Sequence, residues 1–228
     1  MSYKKALCVF AVILLLGVSG LNARDTATFV DLGFSSDGRT FMFAQYGVQA
    51  GTLRPWADLF IVDVAGNNFV PDGRISYTHE RPVVFGQNGS GAFHSLLVRN
   101  APLVTRHQIN HSVQGRPLFI ALQDSSAAEI QFRNFESGSF YRATLVQSAE
   151  GSGGSLASSF HINLVREGRD GTRTTHTVGL PNFRRPLVAS YRIRQARVYG
   201  DSMIFVIEMT RLESGNTSIR YMVETLRF

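Results

Sequence analysis

His107 and His111 stand four residues apart, a spacing that on a helix turns both imidazoles to one side. A zinc protease motif needs a glutamate between two such histidines to serve as general base. Here Gln108, Ile109 and Asn110 intervene, and no third ligand can be named. A serine nucleophile on a strand-to-helix elbow would carry the pattern G-x-S-x-G, which does not occur; Gly33-Phe34-Ser35 lacks the second glycine. His79, His94, His161 and His176 are available to a triad assembled from distant positions, but none has a diagnostic setting. Asp58 and Asp63 flank one apolar run. A glycosidase pair needs two carboxyl groups about 5 to 10 Å apart in a cleft, whereas Asp63 reads more simply as a turn acceptor. No catalytic residue, metal ligand or cofactor is assigned.

Basic chemistry is more conspicuous. The stretch from Arg166 to Arg197 holds eight arginines against two acids. Arg192 and Arg194 alternate with Tyr191 and Ile193, so a strand places both guanidinium groups on one face. Arg184 and Arg185 precede that strand. Such a row can grip a phosphate, a carboxylated polymer or an anionic membrane surface. The competing reading is a solvated face paired locally with acids such as Glu208 or Glu224. Trp56 is the only tryptophan and follows Arg54-Pro55 in a stretch, Gly51 to Ala57, that reads as a loop. Exposed, it would serve there as a binding rim or for carbohydrate stacking; half-buried, as a plug over a sheet edge. Arg184, Arg185, Arg192, Arg194 and Trp56 are thus the candidate residues for an anion or partner site. Nucleic acid is a poor partner, since no aromatic residues interleave the basic ones at recognisable spacing.

Counting sharpens the exclusions. The chain has 228 residues and a formal net charge of +6. Its only lysines are Lys4 and Lys5, and its only cysteine is Cys8. Lys4 and Lys5 open an apolar run from Ala6 to Gly20, too short to span a bilayer and of the form of a secretory signal. Residues 1–23 are read as a signal peptide, with cleavage after Gly20 or Ala23; an uncleaved anchor is the alternative. Cys8 lies too early in the run to carry a lipid at a cleavage site. A chain that has lost this segment has no lysine and no cysteine. Schiff-base and P-loop lysines, thiol nucleophiles, cysteine zinc sites and disulfides are then all excluded. Three Asn-x-Ser sequons, at Asn88, Asn110 and Asn216, matter only on a eukaryotic secretory route.

The elements that would position these residues are strands. Ala27 to Ser35 runs into the turn Ser36-Asp37-Gly38, and Arg39 to Val48 follows. In that second strand Phe41 and Phe43 share one face while Met42 and Ala44 share the other, so it should be central and buried on both sides. Asp58 to Ala65 completes an antiparallel meander. The stretch GFSSDGRTFMFAQYG…ADLFIVDVAGN resembles the repeat of periplasmic propeller proteins, with Ser36 where such repeats usually carry proline. The longer pattern, with MIFVIEMTR…SIRYMVETL near the end, is similar to a bacterial family of predicted secreted proteins of unknown function. That resemblance covers most of the chain beyond the signal and implies export and fold rather than activity.

A weak internal repeat agrees, since Ala196 to Met209 mirrors Asp31 to Ala44, and Ser218 to Leu226 matches Asp58 to Ala65. Between these ends, Gly91 to Ile109 has helical spacing, with Pro102 expected to kink or split it. Strands resume at 117–123, 128–135, 140–147, 158–166 and 186–198. The Gly/Ser-rich segment 148–158 reads as a mobile loop.

These readings combine into a mainly β fold of antiparallel meanders or blade-like sheets, propeller-like or sandwich-like, with one interrupted helix near 91–109. Residues 24–228 are read as a single mainly β domain with a helical insertion at about 90–112. Matching segments at the two ends are expected to pack together. The functional expectation is an exported, periplasmic or secreted, non-enzymatic binding or envelope-associated protein. Its partner is a protein or an anionic envelope component. A hydrolase with a Ser/His/Asp or carboxylate set, and a structural subunit of an envelope complex, are the rivals.

Overall fold

A computed structural model describes residues 25–122, 127–213 and 216–228. The expected signal segment and its cleavage point lie outside the described residues, as does Gln123 at the end of one expected strand. Strands β1 (Asp25–Thr26), β2 (Thr28–Ser35), β3 (Thr40–Val48), β4 (Pro55–Asp63) and β5 (Asn68–Thr78) come first. Helices α1 (Ser90–Arg99) and α2 (Ala101–Arg106) follow, then β6 (Ile109–Asn110), β7 (Arg116–Ile120), β8 (Glu129–Asn134) and β9 (Ser139–Glu150). The chain ends with β10 (Ala157–Glu167), β11 (Arg173–Val178), β12 (Arg185–Pro186), β13 (Val188–Tyr199), β14 (Ser202–Glu213) and β15 (Asn216–Arg227).

The strands form three sheets. The first has the order β5-β4-β3-β2-β6, the second β1-β15-β14-β13-β7, and the third β11-β10-β9-β8 with β12 beside β10. β1 runs parallel to β15, and the other pairs are antiparallel. Period-two alternation decides how the sheets stack. On β3, Met42 and Ala44 join Ala92, Phe93 and Leu96 of α1 in one core. Phe41 and Phe43 join Ile204, Val206 and Val223 of the second sheet in another. On β14 the opposite parity, Met203, Phe205 and Ile207, packs against Ile162 and Leu164 of the third sheet. The order of layers is therefore helices, first sheet, second sheet, third sheet. β3 and β14 are buried on both faces, as the two-sided apolar pattern of β3 predicts. The N-terminal and C-terminal meanders pack on each other, as their matching sequences led us to expect.

Several boundaries depart from the sequence reading. Asp37-Gly38 does form the β2–β3 turn, with Gly38 at φ +70° and the Asp37 carboxylate accepting from the Arg39 amide at 3.0 Å. Pro55 and Trp56, read as loop, are the first residues of β4 and pair with Val48 and Gly47. Proline is tolerated at a strand's first position, where its missing N–H costs no ladder bond. β5, which carries Pro71-Asp72-Gly73, was not foreseen from the sequence. It is an edge strand with a bulge, Asp72 at φ +59°, where an edge tolerates proline. β11 is a second unforeseen edge strand. The helix splits at Asn100, with Pro102 in the first turn of α2, where no helical N–H is required. Segment 148–158, expected to be a mobile loop, instead extends β9 and β10. They are joined by a 3-10 turn at Gly153–Ser155 closed by reciprocal Ser152 and Ser155 bonds.

Candidate functional site

The four arginines singled out from sequence each stand beside an acid. Arg184 Nη1 lies 2.6 Å from Glu150 Oε2 at the exposed end of β9. Arg185 Nη2 lies 3.3 Å from Glu224 Oε1, and its guanidinium packs over the rings of Phe160 and Phe183, each 4.9 Å away. Glu224 is buried, and burial raises its pKa, opposed by the bond from Asn67 and by the charge of Arg185. Arg192 and Arg194 share one glutamate: Nη1 of Arg192 is 3.8 Å and Nε of Arg194 3.5 Å from Glu208. Arg192 sits directly across the β13–β14 ladder from that residue. The structure therefore divides the row among three acids, the local pairing that the competing reading names.

Arginines with a different setting lie in the same basic stretch. Arg166 and Arg169 line a pocket with Ser137, Ser139, Thr172 and Thr174, where Arg166 Nε donates to Ser139 Oγ at 3.4 Å. Asp170 shares the pocket, so its charge is mixed.

Trp56 has become part of a built arrangement. The even-numbered residues of β4 face the second sheet, so Trp56 and Asp58 continue the row of Phe60 and Val62 beyond the apolar core. Gln45, opposite Asp58 on β3, donates to it at 3.2 Å and accepts from the Tyr221 amide at 2.8 Å, joining the two sheets. Only 6% of Trp56 is exposed. Its ring lies close to Gly47, where an added Cβ would come within 3.0 Å of Cζ2 and 3.1 Å of Nε1. Over the ring, 4.3 Å from its centroid, sits the guanidinium of Arg220 on β15. Arg220 also donates to Asp25 through Nη2–Oδ2 at 2.7 Å and through Nη1 to the Asp25 carbonyl at 3.1 Å. Asp25 pairs with Ser218 across the parallel β1–β15 ladder.

Asp25, Trp56, Asp58, Ser218 and Arg220 line a pocket of about 470 Å³, together with Thr52, Thr78, Asn216 and Thr217. Three side-chain atoms of its lining residues are buried and have no hydrogen-bond partner among the described residues: Asp25 Oδ1, Trp56 Nε1 and Ser218 Oγ. The first is an acceptor, the second a donor, the third either. Buried polar atoms are nearly always paired, because leaving one unmade costs about 1–3 kcal/mol. Three in one pocket is a concentration that needs a reason. Sequence reasoning found Trp56 and missed its partners. Asp25 stood beside the expected cleavage point, Ser218 read as part of a sequon, and Arg220 comes from the far end of the chain.

The remaining candidates scatter. His107 caps the end of α2, where burial lowers its pKa, and His111 contacts the Leu32 carbonyl at 2.7 Å. Among the described residues no three His, Cys, Asp or Glu side chains converge as a metal site would require. Asp63 has the parity of the helix-facing residues and accepts from the Gly66 amide at 3.2 Å, a turn role, so it does not meet Asp58.

A family model described as predicted secreted protein (DUF2259) matches residues 42–227. The chain belongs to that family. Four of the five wall residues named above, Trp56, Asp58, Ser218 and Arg220, fall within the span that this predicted secreted protein family shares. No curated protein matches the chain. Among the described residues no helix is long and apolar enough to cross a membrane.

Proposed function

We propose that this predicted secreted protein is an exported, non-enzymatic binding protein that holds a polar ligand in the Asp25–Trp56–Arg220 pocket. The observation that carries the reading is that three residues lining one pocket each hold a buried polar atom with no partner among the described residues. A wall built for stability alone would pair them or replace them with apolar atoms. The choice of binding over catalysis rests on the groups at hand. Among the described residues the pocket lining contains no histidine, and its two carboxylates are engaged, Asp25 by Arg220 and Asp58 by Gln45. A hydrolase would need one of them as a base or nucleophile of matched pKa. The arginine-rich face of β13 remains a secondary contact surface for an anionic envelope component, weakened by the sharing of Glu208.

Export is part of the same proposal: residues 1–23 act as a signal peptide, and the released chain works in the periplasm or outside the cell. Intact-mass measurement of the exported protein should give a chain beginning at residue 21 or 24. A mass that retains the first 20 residues would contradict cleavage. The pocket is tested through its own tryptophan, the only one in the chain. Indole emission should change on titration with an extract of envelope small molecules, and the change should vanish when the guanidinium over Trp56 is removed by Arg220→Ala, provided that variant retains its circular dichroism. Emission that stays constant with every extract fraction would contradict the reading.

A further inference from the structure

We infer that the ligand of this pocket is a neutral saccharide, bound by its hydroxyl groups edge-on to the tryptophan rather than stacked on it. The inference rests on the reading of the pocket as a ligand site and adds its chemistry. The unpartnered wall atoms set the first condition. Trp56 Nε1 can only donate, Asp25 Oδ1 as a carboxylate can only accept, and Ser218 Oγ can do either. One ligand satisfies all three only if it offers both donors and acceptors within a short span. Adjacent hydroxyls do this, because each O–H donates once and accepts through its lone pairs.

Charge sets the second condition. The pocket holds Asp25 and Asp58 against Arg220, and the guanidinium is already bound to Asp25 through two hydrogen bonds. A phosphate or carboxylate would bring its charge beside two aspartates. An ammonium would meet Arg220 and could not satisfy the indole N–H. Both would be desolvated against an unfavourable neighbour. A neutral ligand meets neither penalty.

Shape sets the third. Arg220 lies over one indole face and Gly47 crowds Cζ2, Nε1 and Cε2 of the ring, so no open face is left for a sugar to stack on. The rest of the lining, Gln49, Thr52, Thr78, Asn216 and Thr217, is hydroxyl and amide. Ala50 and the indole are the apolar side chains of the lining, and neither forms a deep apolar slot of the kind that anchors a peptide side chain. At about 470 Å³ the pocket has room for a mono- or disaccharide.

The test is isothermal titration of the exported chain with four probe sets: neutral mono- and disaccharides, inorganic phosphate, spermidine, and a trialanine peptide. A neutral sugar should bind, and Ser218→Ala and Trp56→Phe should each weaken it roughly tenfold, the factor carried by one lost hydrogen bond. Ser218→Ala should fold as well as the parent or better, since it removes a buried hydroxyl with no partner among the described residues. Binding of phosphate, spermidine or peptide with no response to sugars overturns the saccharide inference and leaves the binding reading standing. Sugar binding unchanged in both variants moves the sugar elsewhere and overturns the inference. Silence from all four sets overturns the inference and the binding reading together.

Discussion

Asp31 shows how a single side chain can set the acid response of this protein. Its carboxyl is buried where β2 meets the second sheet, and burial pushes its pKa up to about 6. Arg197, 3.4 Å from Oδ2, and the Gly33 amide, 2.9 Å from Oδ1, pull the other way and do not compensate. The sign of the effect follows. The folded chain holds the Asp31 proton more tightly than the unfolded chain, whose carboxyl titrates near the ordinary 3.8. Stability from this group is therefore complete below about pH 4 and is lost as pH rises through about 6. Acting alone, Asp31 would account for roughly 3 kcal/mol across that window. Asp31→Asn should flatten this fall in urea midpoints measured between those pH values. A variant with the parent's slope would show that another group is responsible.

At the scale of elements, the joint between the first and second sheets depends on a few polar residues at its ends. Asn67, at φ +48° in the β4–β5 turn, donates to Glu224 and accepts from the Thr225 amide at 2.7 Å. Thr225 Oγ1 in turn donates to the Val64 carbonyl at 2.8 Å. Asn67→Ala would leave the buried Glu224 with Arg185 as its remaining named partner and the Thr225 amide unmade. It should cost about 2–4 kcal/mol in chemical denaturation; a loss under 0.5 kcal/mol would show that the turn is held otherwise. None of these pairings could be read from sequence. What could be read was the alternation inside elements. The two-faced pattern of Phe41–Ala44, the Asp37-Gly38 turn and the break near Pro102 are local signals, and each appears where expected. Edge strands β5 and β11 were lost because an edge needs no apolar face and tolerates the Pro71-Asp72-Gly73 run. The arginine row was visible as composition, and Glu208 and Glu224 were named as its acids, but composition does not say which arginine meets which acid, nor that Arg184 meets Glu150. Trp56 was conspicuous as a residue type. The three side chains that give it meaning come from β1 and β15, whose adjacency is a matter of topology.

At the scale of the whole molecule, four stacked layers share their cores strand by strand. β14 supplies Met203, Phe205 and Ile207 to the core with the third sheet, and Ile204 and Val206 to the core with the first. Loss of packing on one face of that strand should release the other. Residues 25–228 are accordingly expected to melt as one unit, with calorimetric and van't Hoff enthalpies equal. Two resolved transitions would mean that the sheets are separate domains. The same stacking explains where the pocket lies. The aromatic core between the first and second sheets, built on Phe34, Phe41, Phe43 and Phe60, gives way at one end to Gln45, Asp58, Trp56 and Arg220. There the layers are held apart by polar groups that the fold leaves partly unsatisfied.

The claim that this polar end is a ligand site is tested most directly by a ¹H–¹⁵N correlation spectrum of the exported chain titrated with a neutral saccharide. The single tryptophan gives a single indole N–H signal, that of the unpartnered Trp56 Nε1. That signal should move with saturation, together with the backbone amides of Ser218 and Arg220, while the amides of β13 stay in place. Shifts confined to the arginine-bearing strand Val188–Tyr199, with the indole signal unmoved, would contradict the account.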